Sequence, residues 1–133
     1  MDLYAENILD HYRHPRGKQL IPSPSVIHEE VNLSCGDSLT LHLIIANDRV
    51  TAIGWDGTGC AISQAAMSML SEELTGKSLT EIDALTKENV YELLGVPVGP
   101  RRFKCALLGL HTLKNAVRKF RKEEPEGWTS VAA

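Results

Sequence analysis

A strictly alternating apolar stretch followed by a tight polar turn constrains the fold of this chain more than any other feature. Leu39, Leu41 and Leu43 fall on one side of an extended strand, with polar or mixed residues on the other. The residues at 47–49 are typical of a hairpin turn. Connections this short favour antiparallel pairing of strands in chain order. The three predicted strands cover residues 27–33, 38–46 and 50–55.

This strand order has a geometric consequence for three polar residues. In a three-stranded meander, the loop between the first two strands and the exit of the third strand lie at the same end of the sheet. Cys35 and Asp37 fall in that loop, and Cys60 follows that exit. We therefore expect these three side chains to lie close together, although they are distant in sequence.

Helical patterns precede and follow the three predicted strands in the sequence. A first helix within residues 1–15 should end before Pro15, because the residue preceding a proline is pushed out of the helical region. An apolar stripe follows Cys60 and stops near Gly76, and two short helices begin near Ser78 and Lys87. A long amphipathic helix begins at residue 100.

These elements predict an α+β fold in which a three-stranded antiparallel sheet packs against several helices, including a long C-terminal helix. With 133 residues the chain is long enough for one hydrophobic core, so we expect a single domain over 1–133. Residues 123–133 are polar and are predicted to form a flexible tail, although its Trp128 could dock against the domain.

The cysteines and one aspartate form a complete ligand set for a metal. Three thiols, from Cys35, Cys60 and Cys105, and the carboxylate of Asp37 suit zinc, iron or an iron–sulfur cluster. A structural zinc site more usually closes with four Cys or His ligands, so the harder Asp37 favours an exchangeable site. A purely structural zinc domain and a cysteine hydrolase are the less favoured alternatives.

A basic cluster precedes the last cysteine. Arg101, Arg102 and Lys104 crowd the start of the long helix, where cations oppose the helix dipole by about 0.3–1 kcal/mol each. A loaded site of three thiolates and one carboxylate would carry the negative charge that makes this cluster favourable. Two alternatives remain open: a solvated basic edge beside an inert Cys105, or a docking surface for an acidic partner.

Several function classes are disfavoured by composition. The formal net charge of -3 argues against nucleic-acid binding as the main activity. The N-terminal residues have no export signal, and no apolar run reaches the length of a membrane span. An odd number of cysteines then indicates a reducing, cytoplasmic setting. His11 and His14 are expected at the surface or at a helix end, and not as ligands.

Three motifs give the chain a family resemblance. Asn-Leu-Ser-Cys-Gly-Asp at 32–37, Gly-Thr-Gly-Cys-Ala-Ile-Ser at 57–63 and Arg-Phe-Lys-Cys-Ala at 102–106 resemble the signatures of U-type iron–sulfur cluster assembly scaffolds, the IscU, SufU and NifU N-terminal proteins. The segment Ile-Leu-Asp-His-Tyr at 8–12 is similar to their first helix. The likeness covers nearly the whole chain, with the signatures in the expected order.

The resemblance implies a function and a set of partners. Cys35, Cys60 and Cys105, with Asp37, would hold a transient two-iron, two-sulfur cluster, or zinc on the same ligands. Sulfur would arrive from a cysteine desulfurase, and apo iron–sulfur proteins would receive the cluster. The chain would then be a scaffold and not an enzyme. The alternative is a zinc-dependent sulfur acceptor, or sulfurtransferase, in which Cys35 takes a persulfide while Arg102 and Lys104 engage the desulfurase.

The chain departs from both main branches of the family. The IscU branch has histidine before the third cysteine, where this chain has Lys104, as in the SufU branch. The step from Cys60 to Cys105 is too short for the insertion typical of SufU proteins. The chaperone-binding run of IscU proteins is also absent before Cys105, so the resemblance does not extend to dependence on an Hsp70-type chaperone.

Overall fold

The computed structural model describes residues 3–33 and 36–132, which contain three strands and six helices. The elements confirm the predicted α+β class, and the third strand runs three residues beyond its predicted end. In chain order they are α1 (Leu3–Arg13), β1 (Val26–Asn32), β2 (Asp37–Ala46), β3 (Arg49–Thr58), α2 (Ala61–Leu74), α3 (Leu79–Asp83), α4 (Lys87–Leu94), α5 (Phe103–Phe120) and α6 (Trp128–Ala132).

The sheet is an antiparallel meander in the order β1-β2-β3. Asn47 and Asp48 join β2 to β3 with φ angles of 53° and 57°, the left-handed conformation that a two-residue hairpin turn requires. Asn32 pairs with Asp37, and Ser38 pairs with Thr58. The β1–β2 loop and the exit of β3 therefore lie at the same end of the sheet, as predicted.

One face of the sheet is covered by helices. α5 packs along β1 and β2, while α2 packs against β3 and α5. Leu41, Leu43 and Trp55 on this face are fully buried, as are Leu107 and Leu110 of α5. Each buried leucine stabilises the fold by about 1.5–3 kcal/mol, so this layer holds the starts of α2 and α5 against the sheet.

The N-terminal helix is attached to α2 through a buried histidine. Nδ1 of His11 lies 2.7 Å from the hydroxyl of Ser68, and the backbone N–H of Arg16 donates to the same hydroxyl. The indole N–H of Trp55 donates to the carbonyl of Arg16. The expectation that His11 is a surface or capping residue is wrong, because the small side chain of Ser68 lets α1 pack closely on α2.

The C-terminal segment, for which the sequence predicted a flexible tail with a docking Trp128, makes several contacts with α5. The side-chain amide of Asn115 donates to the carbonyl of Glu126, and the backbone N–H of Glu126 donates back to the Asn115 amide oxygen. The Trp128 ring stacks on His111 with 4.3 Å between centroids, and Val131 is buried. These partners lie on α5, so the local polarity of 123–132 does not reveal them; residue 133 lies outside the described part.

Replacing Trp128 by alanine tests whether this segment contributes to stability. We expect Trp128→Ala to lower the free energy of unfolding by about 1–3 kcal/mol, because half-buried apolar area and a stacked ring pair are both lost. The exposed neighbour Ser130 provides the control, since Ser130→Ala should change stability by less than about 0.5 kcal/mol. Equal stability of the two variants in denaturant titrations would show that the segment is a loose tail.

Candidate metal centre

The pairing register of the sheet determines the position of Asp37. Asp37 is the first residue of β2, and it shares the inner face of the sheet with Leu39 and Leu41. Its side chain is only 2 % exposed. A buried carboxylate is costly without polar partners, and its Oδ1 accepts a hydrogen bond of 3.3 Å from the backbone N–H of Cys60. The acid is therefore fixed beside the start of α2.

Cys60 links the end of β3 to the first turn of α2. It is the N-cap residue of that helix, with extended backbone angles, and its thiol makes no capping hydrogen bond. Its carbonyl accepts from the hydroxyl of Ser63 at 3.1 Å and from the backbone N–H of Gln64. The half-buried thiol is positioned by the backbone at this corner, and the side chain stays available as a ligand.

Cys105 enters the same region from the first turn of α5. The thiol is 5 % exposed, because α5 packs on the inner face of β1 and β2. Phe103, two residues earlier, begins the helix and packs partly against the core. The packing of α5, and not a nearby sequence motif, brings this late cysteine to the end of the sheet that holds Asp37.

The structure brings these three side chains together. One ligand atom each from Asp37, Cys60 and Cys105 lie within 4.8 Å of one another, and this is the one such group of His, Cys, Asp and Glu side chains among the residues described. Four ligands about 2.0–2.3 Å from a tetrahedral ion are separated by roughly 3.3–3.8 Å. Small side-chain adjustments would therefore let these atoms share an ion, and two thiols with one carboxylate suit zinc or iron.

The fourth predicted ligand, Cys35, lies outside the described residues. The nearest described residues on either side, Leu33 and Gly36, lie between β1 and β2, and the N–H of Gly36 donates to the carbonyl of Asn32 at 2.8 Å. Gly36 is followed directly by Asp37. The role of Cys35 as a ligand stays a prediction.

The predicted basic cluster divides into two parts. Arg101 and Arg102 are exposed at the start of α5, where Arg102 is the N-cap residue. Lys104 is half-buried, and its Nζ lies 5.8 Å from the centroid of the Trp128 ring. The contact between Lys104 and the C-terminal segment could not be expected from the sequence, because it depends on the docking of α6.

The buried histidines belong to other clusters in the described residues. Nε2 of His111 lies 3.5 Å from a carboxylate oxygen of Glu30, and Nε2 of His28 lies 3.1 Å from the same oxygen. Burial holds the pKa of His111 below its ordinary value, and the Glu30 carboxylate opposes this effect. Burial also lowers the pKa of His11, with a smaller contribution from the Arg16 guanidinium. Both rings are thus biased towards the neutral form.

Sequence reasoning missed two residues of the site. Gly59 lies against the carboxylate of Asp37, and Ser63, in the first turn of α2, lies against Gly59. Their presence in the second motif is the only signal that could have indicated them.

None of the described helices is long and apolar enough to cross a membrane.

The chain is similar to known proteins over most of its length. A family model described as "NifU-like N terminal domain" matches residues 3–126. A protein of Thermotoga maritima named "Iron-sulfur cluster assembly scaffold protein IscU" is 32 % identical, with 88 % of this chain and 94 % of that protein covered. A Bacillus subtilis protein named "Zinc-dependent sulfurtransferase SufU" is 31 % identical, with 88 % and 90 % covered.

Solved structures share the same fold. A crystal structure of a candidate iron–sulfur cluster assembly scaffold protein for the SUF system of Fervidobacterium islandicum is 29 % identical, with a TM-score of 0.74 over 84 % of this chain and 94 % of that one. A NifU-like N-terminal structure from Brucella abortus has a TM-score of 0.76 over 92 % of this chain and 96 % of that one. Its 18 % identity shows a likeness of fold alone.

Cobalt(II) titration tests whether the clustered thiols bind metal. We expect one ion per chain with thiolate-to-metal charge-transfer absorption, and Cys60→Ser or Cys105→Ser should lower the affinity at least about 100-fold, since a ligand matters more than its supporting contacts. Asp56 is an exposed acid near the same end of the sheet, and Asp56→Ala should bind normally. Wild-type affinity in both cysteine variants would exclude these thiols as ligands.

Proposed function

The chain belongs to the family of NifU-like N-terminal domains, and we propose that it assembles a labile iron–sulfur cluster and transfers it to apo-proteins. The cluster, a two-iron, two-sulfur unit, is the cargo of the scaffold. The ligands in this proposal are Cys35, Asp37, Cys60 and Cys105. Thiols that must stay reduced suit the cytoplasm, which is the compartment that we propose.

The observation that carries this proposal is the mixed ligand group. The thiols of Cys60 and Cys105 lie beside the carboxylate of Asp37, all within 4.8 Å of one another. Thiolates bind iron and iron–sulfur clusters strongly. A carboxylate oxygen is a harder ligand, and it leaves the iron more readily. A site meant to release its cargo benefits from one weaker ligand.

Asp37 has a second partner available when it leaves a metal. The backbone N–H of Cys60 donates to its Oδ1, and the start of α2 favours a nearby negative charge. Departure of the carboxylate from iron would therefore not leave a buried, unsolvated anion. This alternative partner lowers the cost of opening a coordination position during cluster transfer.

Cys35 is the thiol that we assign to sulfur acceptance. The described residue Leu33, two positions before it in the sequence, is 90 % exposed, whereas Cys105 is almost fully buried. The thiolate of Cys35 would attack the outer sulfur of a desulfurase persulfide. The sulfur–sulfur bond of the donor would break, the desulfurase cysteine would leave as a thiolate, and Cys35 would carry the persulfide.

The basic residues serve the partner and the charge balance in this proposal. Arg101 and Arg102 are exposed beside Cys105, so they can meet an acidic surface of the desulfurase. They also offset the negative charge of a loaded site. An ammonium group such as that of Lys104 offers donors only, so we do not count Lys104 among the ligands.

The alternative function is a zinc-dependent sulfur acceptor. The Bacillus subtilis relative is named as a zinc-dependent sulfurtransferase, and the same ligand group suits zinc. Zinc, when bound, would hold the thiols deprotonated and in place. Cys35 would again accept the sulfur, and no cluster would form. The chain would then take part in a transfer reaction as an enzyme, which the scaffold proposal does not require.

Reconstitution with iron, cysteine, a cysteine desulfurase and a thiol reductant separates the two functions. The scaffold proposal predicts a visible cluster chromophore that passes to an apo-ferredoxin. Asp37→Ala should keep its cluster several-fold longer and transfer it more slowly, because the exchangeable ligand is lost. Asp56→Ala, the exposed acid control, should behave as the wild type.

Two outcomes would contradict the scaffold proposal. The first is stimulated desulfurase turnover with zinc retained and no cluster chromophore, which supports the sulfur acceptor. The second is faster cluster loss in Asp37→Ala than in the wild type, which would show that the carboxylate holds the cluster and does not make it labile.

A further inference from the structure

Gly59 lies directly against the carboxylate of Asp37. A Cβ atom placed on Gly59 would be 2.6 Å from Oδ1 and 2.8 Å from Cγ of Asp37, and 2.6 Å from Oγ of Ser63. Cβ atoms in real proteins essentially never approach other heavy atoms below 3.0 Å. Any side chain at position 59 would therefore have to displace the carboxylate, the hydroxyl or both.

Both neighbours are buried and held by hydrogen bonds. Asp37 is 2 % exposed and is attached through its Oδ1 to the N–H of Cys60. Ser63 is also buried, and its hydroxyl donates to the carbonyl of Cys60. Because Asp37 sits on the inner face of the sheet, a displaced carboxylate would move within the packed site and change its distance to the two thiols.

We propose that Gly59 is a positioning residue for Asp37: the absence of a side chain at position 59 keeps the carboxylate within reach of both the Cys60 N–H and the shared metal. The hydroxyl of Ser63 limits the same space, because a Cβ on Gly59 would lie 2.6 Å from it. This inference rests on the proposed function only in that Asp37 must be a ligand. In this proposal, Gly59 determines whether the carboxylate of Asp37 can reach the metal.

Backbone conformation provides a competing reason for glycine here. The φ angle of Gly59 is +158°, at the edge of the range that other residues seldom adopt. A variant at this position would therefore carry a backbone cost whatever the carboxylate does. Removing the carboxylate isolates the effect of Asp37, because it abolishes that contact and leaves the backbone cost and the contact with Ser63 unchanged.

A double-mutant cycle on zinc affinity provides the test. The four proteins are the wild type, Asp37→Ala, Gly59→Ala and the double variant, with affinity measured by chelator competition in the absence of iron. We expect Gly59→Ala and Asp37→Ala each to weaken zinc binding about 10–100-fold. The double variant should bind as Asp37→Ala does, because a ligand that is absent cannot be displaced.

Thermal unfolding of the metal-free proteins keeps the test decisive if Gly59→Ala folds poorly. Gly59→Ala should lower the melting temperature less in the Asp37→Ala background than in the wild type, because one of the two close contacts of the new Cβ is then absent. Gly76→Ala is the control for backbone strain: its φ is +92° and a Cβ there would meet nothing within 4 Å. Gly76→Ala should lose stability without any loss of zinc affinity.

Three results would overturn the inference. One is wild-type zinc affinity in Gly59→Ala when Asp37→Ala binds weakly. Another is additive loss of affinity in the double variant, which would assign the effect to the backbone. The third is a loss of melting temperature from Gly59→Ala that is as large in the Asp37→Ala background as in the wild type. Wild-type affinity in Asp37→Ala is a different failure, because it removes Asp37 from the ligand set and with it the proposed function.

Discussion

The pairing register at one end of the sheet is the constraint on which the whole site depends. Because Asn32 pairs with Asp37 and Ser38 pairs with Thr58, the first residue of β2 lies beside the exit of β3. A shift of one residue would turn Asp37 to the opposite face of the sheet and away from the helices. Three buried leucines on β2 oppose that shift, since it would expose all of them together.

Packing between elements that are distant in sequence then brings the two cysteines beside Asp37. Cys60 follows β3 directly, but Cys105 reaches the group only because α5 lies along the inner face of β1 and β2. The site is therefore formed by the same contacts that form the core. An exchangeable acid in such a place fits a protein that must bind its cargo firmly and still release it, whereas a permanent structural zinc site gains nothing from it.

The sequence could predict those parts of the molecule that local patterns encode. Alternation in β2 and the turn at residues 47–49 were enough for the meander, and the meander alone placed Asp37 near Cys60. The burial of His11 and the partners of the C-terminal segment could not be predicted, because Ser68, His111 and Asn115 are distant from them in sequence. The close approach of Gly59 to Asp37 was hidden for the same reason, since it depends on distances in space.

X-ray absorption spectroscopy at the zinc edge of the metal-loaded protein tests the central claim most directly. Three thiols and one carboxylate should give three sulfur atoms at about 2.3 Å and one oxygen at about 2.0–2.2 Å from the metal. Cys35, which lies outside the described residues, must supply the third sulfur. A shell with only two sulfurs, or with the multiple-scattering pattern of a histidine ring, would contradict the shared site proposed for Cys35, Asp37, Cys60 and Cys105.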